Sequence, residues 1–178
     1  MNYRNRSRQA GFTLVEIAIV LVIIGLLLGG VLKGQEMIEN AKIKNLANDM
    51  KGVSAAYYAY QDRYKAVPGD DIAAASRFVG GVNGGGDGVI AGLYAAQTAL
   101  GAAAESNNFW QHTRLAGFLS GTATATAALP PTHALGGILG IQAPAATTFA
   151  MTGAVVCAGS VPWKIAQALD ILMDDGAS

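Results

Sequence analysis

The fold of this chain is decided by Gly11-Phe12-Thr13-Leu14-Val15-Glu16 and by the apolar residues that continue it as far as Leu32. Between Phe12 and Leu32 the only charged residue is Glu16. As an α-helix this segment would be about 31 Å long, enough to cross the hydrocarbon core of a bilayer. A carboxylate there costs roughly 2.5–3.5 kcal/mol at the membrane centre and less near an end. We therefore expect Glu16 to be compensated by a positive charge from an assembly partner.

The flanks of the apolar segment predict its orientation. Arg4, Arg6 and Arg8 precede it and no acid does, which places the N-terminus in the cytoplasm and the bulk of the chain outside. A secretory signal fits poorly, because its apolar region would span only about 7–15 residues and would end at a small-x-small cleavage site. A plain single-pass anchor explains the length and the flanks, but it does not explain Glu16.

The composition limits the classes of function. Hydrophobic residues make up 52% of the 178 residues, charged residues only 13%, and the formal net charge is zero. Three of the twelve basic residues lie in the first eleven positions, so the remainder, with nine basic and twelve acidic side chains, is mildly acidic. This balance gives no electrostatic case for binding nucleic acid, and no nucleic-acid partner is expected.

The opening motif resembles the processing site of type IV pilins and of type II secretion pseudopilins. The resemblance rests on Gly11-Phe12-Thr13-Leu14-Val15-Glu16, with the basic leader before it and the apolar run after it. It implies that a prepilin peptidase cuts between Gly11 and Phe12 and methylates the new N-terminus at Phe12. It also implies that Glu16 is the assembly residue, that the partners are copies of this chain or other pilins and pseudopilins, and that the subunit starts in the inner membrane.

The chemistry of Glu16 agrees with that reading. Glu16 follows Phe12 by one helical turn, so the carboxylate of one subunit can meet the N-terminal ammonium of its neighbour when subunits stack. Such a pair neutralises two charges, each of which would otherwise be desolvated without a partner. Glu16 also lies in the first turn of the helix, where the helix dipole favours an anion.

Helical periodicity continues beyond the apolar segment, as far as Pro68. We predict one helix from Phe12 to about Lys65, with Gly29, Gly30 and Gly34 as places where it bends or packs closely against other helices. Its second half carries an apolar stripe that packs on its own domain or, alternatively, forms a coiled coil with another chain. The stripe is Ile43, Leu46, Met50, Val53, Tyr57, Tyr60 and Tyr64.

The rest of the chain reads as short elements between Gly- and Ala-rich loops. We predict a short helix over 71–79, a loop over 80–88 and a helix over 108–119 whose face includes Phe109, Thr113, Ala116 and Leu119. Residues 117–148 read as a long surface excursion. Strands are predicted over 147–151 and 154–157, followed by a helix after Pro162 with Ile165, Leu169 and Leu172 on one face.

The predicted fold class is α+β and pilin-like. A long N-terminal helix with a membrane half and a packed half, lying against a small antiparallel sheet, is what the resemblance implies. The predicted segments are a basic leader (1–11), a transmembrane and assembly half of the helix (12–32), its periplasmic half (33–67) and a globular domain with Gly- and Ala-rich loops (68–178).

A calcium site is a further hypothesis, since some pseudopilins bind calcium. Asn83 and Asp87 match positions 1 and 5 of a calcium-binding loop, but Gly85 and Tyr94 stand where an acid and a glutamate belong. A simple turn at Asp87 explains the same residues. Further carboxylates would have to come from Asp70, Asp71, Asp174 and Asp175. No other cofactor is expected.

No catalytic arrangement is evident in the sequence. His112 and His133 lack metal-ligand spacing, and His112 reads as structural, with a hydrogen bond to Glu105 two helical turns away as one option. The single cysteine, Cys157, excludes an intrachain disulfide and reads as a buried, inert thiol. The sequence therefore does not predict an enzyme.

Two functions from different classes remain. The first is a structural subunit that is cleaved, methylated and polymerised into a type IV pilus or a type II secretion pseudopilus; the single cysteine favours a pseudopilin-like or non-standard pilin. The second is a monomeric, membrane-anchored periplasmic binding protein that does not polymerise.

Overall fold

The computed structural model describes residues 11–95, 100–101, 103–124, 128–144 and 153–173. The chain divides into two compact units, Met1–Ala41 and Lys42–Ser178. Each unit is described by itself below.

Helix α1 spans Leu14–Tyr64 and is 51 residues long. The predicted single helix from Phe12 to about Lys65 is thus confirmed, and Gly29, Gly30 and Gly34 do not interrupt it. It ends where Lys65 takes a left-handed conformation with a φ of 54° and donates its backbone N–H to Gln61. A residue of that conformation is a common helix stop, because it turns the chain while still satisfying a carbonyl of the last turn.

The apolar stripe of α1 enters the core of the second unit. Leu46 and Val53 belong to a buried cluster with Ile90, Phe109, Trp110, Leu139 and Ile141. Met50 and Tyr57 are partly buried against that cluster, and Tyr60 is fully buried. The prediction that this face packs on its own domain is confirmed.

Helix α3 is the other central element of this unit; it spans Glu105–Leu115 and is preceded by the single turn α2, Ala74–Arg77. Both helices differ from the predicted 108–119 and 71–79. Helix α3 begins three residues earlier and stops near Gly117, which has a φ of 78°. Its polar side chains are buried as well, which the predicted face of Phe109, Thr113, Ala116 and Leu119 did not anticipate; the buried polar residues are Glu105, Ser106, Asn107, Asn108, Gln111, His112 and Thr113.

These polar side chains satisfy the backbone of the neighbouring loops. Asn108 donates to the carbonyls of Gly69 and Gly101 at 3.2 and 2.9 Å and accepts the Gly101 N–H at 3.0 Å. Gln111 accepts the Val82 N–H at 2.9 Å and donates to Gly80 at 3.0 Å. Loop backbone groups that lie against the domain need such partners because they cannot all pair with one another.

The sheet has two antiparallel strands, β1 (Leu139–Gln142) and β2 (Val155–Ala158). Leu139 is opposite Ala158 and Gln142 is opposite Val155. The strand predicted over 154–157 is confirmed within one residue, whereas the strand predicted over 147–151 lies outside the described residues. The prediction of 117–148 as a surface excursion is wrong, because β1 lies within it and its Leu139 and Ile141 are buried.

Helix α4 spans Trp163–Met173, as the sequence predicted. Ile165 is buried and Leu169 packs on the core, but Leu172 remains 46% exposed. The predicted face therefore holds at two of its three positions.

Gly69 provides a test of the turn that follows α1. Its φ is 100°, and a Cβ placed there would lie 2.5 Å from the backbone oxygen of Glu105. We expect Gly69→Ala to lower the free energy of unfolding by about 2–5 kcal/mol, through left-handed strain and overpacking against α3. Denaturant unfolding of the full chain in detergent micelles, followed by near-ultraviolet circular dichroism, measures the loss.

Gly80→Ala is the matched control. Gly80 has a similar φ of 79°, but a Cβ there would meet nothing within 4 Å. This variant should lose only the strain term of about 1–2 kcal/mol. Equal losses in the two variants would contradict the close approach of Gly69 to α3.

Candidate functional site

Thr13 and Glu16 close the start of α1 as a capping box. The Thr13 hydroxyl accepts the Glu16 backbone N–H at 3.2 Å, and Glu16 Oε2 accepts both the Thr13 N–H and the Thr13 hydroxyl at 2.8 Å. In a capping box, two side chains satisfy N–H groups that the first helical turn leaves without partners. Both bonds to the Glu16 carboxylate end on Oε2, and Oε1 has no partner among the residues that the structure describes.

The helix that follows this cap is apolar on every side. Each residue from Leu14 to Leu32 is exposed, and Leu14 itself is 86% exposed. Within the described ranges, α1 is the one helix long and apolar enough to cross a membrane, with a mean hydropathy of 2.8 over its most apolar window. A helix that is hydrophobic all round needs a membrane or other helices to cover it. The segment therefore fits a single-pass inner-membrane anchor.

A second candidate site is a group of three carboxylates in the other unit. Asp70, Asp87 and Glu105 each offer an oxygen, and these oxygens lie within 4.8 Å of one another. Asp70 and Glu105 are buried, whereas Asp87 is exposed. Calcium binds carboxylate oxygens at about 2.3–2.6 Å. Three oxygens at this spacing can all lie at that distance from one ion.

The glycine-rich loop is folded around these carboxylates. Asp70 accepts the backbone N–H groups of Gly86, Asp87 and Gly88, the last two at 3.2 and 2.7 Å. Glu105 accepts the N–H of Gly85 at 2.6 Å and that of Ala91 at 2.8 Å. Hydrogen bonds to an ionised acceptor are stronger than neutral ones, so these two acids give the loop its shape with or without a metal.

The same crowding affects the ionisation of Glu105. Burial raises the pKa of the Glu105 carboxyl, and the charge of Asp70 and a hydrogen bond with it act in the same direction. The N–H bonds from Ala91 and Gly85 oppose the shift. A cation placed among the three acids would relieve the repulsion between Asp70 and Glu105.

The residues predicted to hold calcium are only partly brought together. Asp70 and Asp87 join the cluster, but Asp71 accepts the Tyr60 hydroxyl at 2.8 Å and forms an ion pair with Arg77. Asn83 accepts the Ala75 N–H at 2.8 Å. The predicted alignment of a calcium-binding loop from Asn83 is therefore not the arrangement seen. Asp174 and Asp175 lie outside the described residues.

Glu105 is the member of the cluster that the sequence did not suggest as a ligand. The predicted hydrogen bond between Glu105 and His112 is wrong. His112 Nδ1 accepts the Gly69 N–H at 2.9 Å, and Nε2 lies 2.7 Å from the Val82 carbonyl, which requires the neutral ring with its proton on Nε2. Burial lowers the pKa of His112, in agreement with its predicted structural role. One sequence signal for Glu105 was available, an acid placed to start a helix just after an Ala-rich run.

Cys157 lies in β2 as a free, half-buried thiol. Burial raises the pKa of the thiol, so the protonated, unreactive form is favoured at neutral pH.

Comparison with known proteins identifies the first of these features. Residues 6–32 match the family model described as the prokaryotic N-terminal methylation motif. No curated protein and no solved structure matches the chain. The match is confined to this N-terminal segment; the motif is the signature of type IV pilins and pseudopilins, and it supports the interpretation of the chain as a pilin-like precursor.

The raised pKa of Glu105 gives a prediction for stability against pH. The folded state holds the proton of the Glu105 carboxyl more tightly than the unfolded state does. The stability that this proton contributes is therefore fully present below the ordinary pKa of 4.5. It is lost as pH rises toward the folded-state pKa. We expect Glu105→Gln to be less stable overall, having one carboxylate oxygen fewer for the loop, but to show a flatter decline between about pH 4.5 and 7. Denaturant unfolding in a chelator measures both slopes.

Asp87→Asn is the matched control. Asp87 is the exposed member of the cluster, and the shift of Glu105 comes from burial and from Asp70 instead. This variant should keep the slope of the parent protein. His112 titrates in the opposite sense but is present in every variant. Parallel curves for the parent and Glu105→Gln would contradict the assignment.

Proposed function

We propose that this chain, a pilin-like precursor by its methylation motif, is cleaved after Gly11, N-methylated at Phe12 and polymerised through α1 into a filament. The filament is a type IV pilus or a type II secretion pseudopilus. The globular domain would then lie in the periplasm or outside the cell. The prepilin peptidase is the processing partner, and copies of this chain or other pilins and pseudopilins are the assembly partners.

The arrangement of Glu16 is the observation that carries the proposal. One carboxylate oxygen is committed to the cap at Thr13, while the other has no partner among the described residues. Within the described ranges, no cation therefore pairs with the negative charge of Glu16 at the start of this membrane-length helix. A neighbouring N-terminal ammonium fits this position, because a carboxylate oxygen with free lone pairs accepts a short, charge-assisted hydrogen bond.

Removal of residues 1–11 supplies that ammonium. Phe12 precedes the cap at Thr13 directly, so cleavage after Gly11 leaves the new amine at the entrance of the helix without removing a capping residue. The membrane strengthens the attraction, because neither charge is well solvated there and each alone is costly.

The mature N-terminus discriminates between this proposal and a monomeric, membrane-anchored binding protein. Mass spectrometry of the protein from its native host should find a chain that begins at methylated Phe12. Gly11→Leu should block cleavage because a side chain is added at the cut site, and a Cβ at Gly11 meets nothing within the protein. Gly34→Ala, equally free of contacts, is the control that should be processed normally. An intact Met1 in the native protein would support the anchor instead.

Substitutions of Glu16 separate its charge from its role in the cap. Glutamine is accepted at the third position of a capping box, so Glu16→Gln keeps the helix start but removes the charge. Glu16→Leu removes both. We expect both variants to be processed and held in the membrane, with at least about tenfold less protein in sheared filaments, the effect of losing a charge-assisted hydrogen bond.

Thr13→Val is the matched control for the cap. It removes the hydroxyl that bonds to Glu16 but leaves the charge. This variant should assemble far better than Glu16→Gln. If Glu16→Gln entered filaments at the parental level, the pairing would be refuted, and capping alone would explain the arrangement of Thr13 and Glu16 in this helix start.

We further propose that Asp70, Asp87 and Glu105 hold a calcium ion that fixes the glycine-rich loop. The donor set and its spacing support this proposal, although five backbone N–H groups already satisfy part of the two buried acids. Since the ligands bind as carboxylates, calcium should stabilise the domain more at neutral pH than near pH 4.5, where Glu105 holds its proton. The unfolding assay described for Glu105 measures this when calcium replaces the chelator, and Asp87→Asn should weaken the effect.

A further inference from the structure

A cavity of about 290 Å³ lies between α1, α3 and β1 in the second unit. Its lining combines apolar side chains with Trp110, Arg114 and Asp49; the apolar ones are Val53, Leu119 and Leu139. A volume at the lower limit of ligand pockets suits a small group of a few heavy atoms. The cavity has no part in the proposed assembly through the start of α1.

Two buried donors in this lining have no partner in the described part of the chain. Trp110 is only 2% exposed, and its indole Nε1 makes no hydrogen bond. Nε of Arg114 is also buried and unpaired. A buried donor without a partner destabilises the fold, so a ligand that supplies an acceptor here would recover free energy that the protein alone does not.

Arg114 is a positive charge without an anion in the described residues. Its guanidinium carbon lies 5.5 Å from the centre of the Trp110 ring, and one NH group donates to the Thr122 carbonyl at 3.0 Å. Burial lowers the pKa of Arg114. Gly121 lets the loop lie against this side chain, since a Cβ there would be 2.8 Å from Nε. The guanidinium is thus held at the cavity beside the indole.

We propose that this cavity binds a carboxylate carried on a short, branched apolar stem. The carboxylate oxygens would accept from the guanidinium of Arg114 and from the indole N–H of Trp110. The stem would pack on Val53, Leu119 and Leu139. The protein itself covers both unpaired nitrogens in this structure. Binding would therefore require the partly exposed Arg114 side chain to shift and admit the ligand.

Asp49 gives the proposal a test of sign. It lines the same cavity and is exposed, so its negative charge opposes an incoming anion. Removing Asp49 should strengthen binding, whereas removing Arg114 should weaken it. A merely structural role of the two residues would not produce opposite changes in affinity.

The experiment follows the indole N–H signal of Trp110 by nuclear magnetic resonance in the full chain in detergent micelles. Trp163→Phe removes the only other indole, which is 78% exposed. Sodium isobutyrate is titrated against sodium chloride of equal ionic strength, and a saturable shift is expected. Arg114→Gln should weaken binding about tenfold or more, the effect of losing a hydrogen bond to a charged group, and Asp49→Asn should strengthen it.

Three controls keep the test decisive. Isobutyramide, which has the same shape without the charge, should bind much more weakly. Arg114→Lys should retain part of the affinity, which guards against loss of binding through unfolding. An indole signal that does not respond to isobutyrate, or responses of Arg114→Gln and Asp49→Asn in the same direction, would overturn the proposal.

Two sources can provide this chemistry, a free small acid or the carboxylate of a partner protein. A short peptide that ends in valine with a free carboxylate, compared with its amidated form, distinguishes them. Tighter binding of the free-acid peptide than of isobutyrate assigns the site to a protein partner, and preference for isobutyrate assigns it to a small molecule. Either result supports the proposed chemistry, and binding of the amidated peptide as tightly as the free acid counts against it.

Discussion

The buried polar side chains of α3 are the interaction on which the second unit depends. The backbone groups of its loops are not paired within a helix or a sheet, so they need partners from elsewhere. Asn108, Gln111 and His112 reach Gly69, the segment 80–82 and Gly101 with donors and acceptors. Glu105 extends the same pattern to Gly85 and Ala91. A polar helix thus occupies the place where a hydrophobic one would be expected, because it holds the loops rather than filling space between helices.

This arrangement explains which parts of the fold could be predicted from the sequence. Helices α1 and α4 are predicted from apolar periodicity, which is a local property of the chain. Strand β1 does not, since it lies in an Ala- and Gly-rich segment of low strand propensity. The glycine at position 140 is explained by a residue that is distant in the sequence, because a Cβ at Gly140 would lie 2.7 Å from Cβ of Tyr94. A contact of this kind depends on two residues that are distant in the sequence, so neither segment predicts it by itself.

The candidate sites divide in the same way. Gly11, Phe12 and Glu16 form a contiguous pattern, and the cap that Thr13 makes with Glu16 follows from their spacing of three residues. The acidic cluster draws Asp70, Asp87 and Glu105 from three separate segments. Sequence reasoning found Asp87 by matching a known loop pattern and suggested Asp70 as a further carboxylate, but it missed the buried Glu105, whose role depends on where α3 meets the loop. It also assigned Asp71 and Asn83 to calcium, although each already has a different partner.

The two oxygens of Glu16 have a consequence for how a subunit would move. Since one oxygen secures the helix start within the chain, a neighbour's ammonium can engage or leave the other without any unwinding of the first turn. In the proposed filament, a subunit would then enter or leave with its helix start intact.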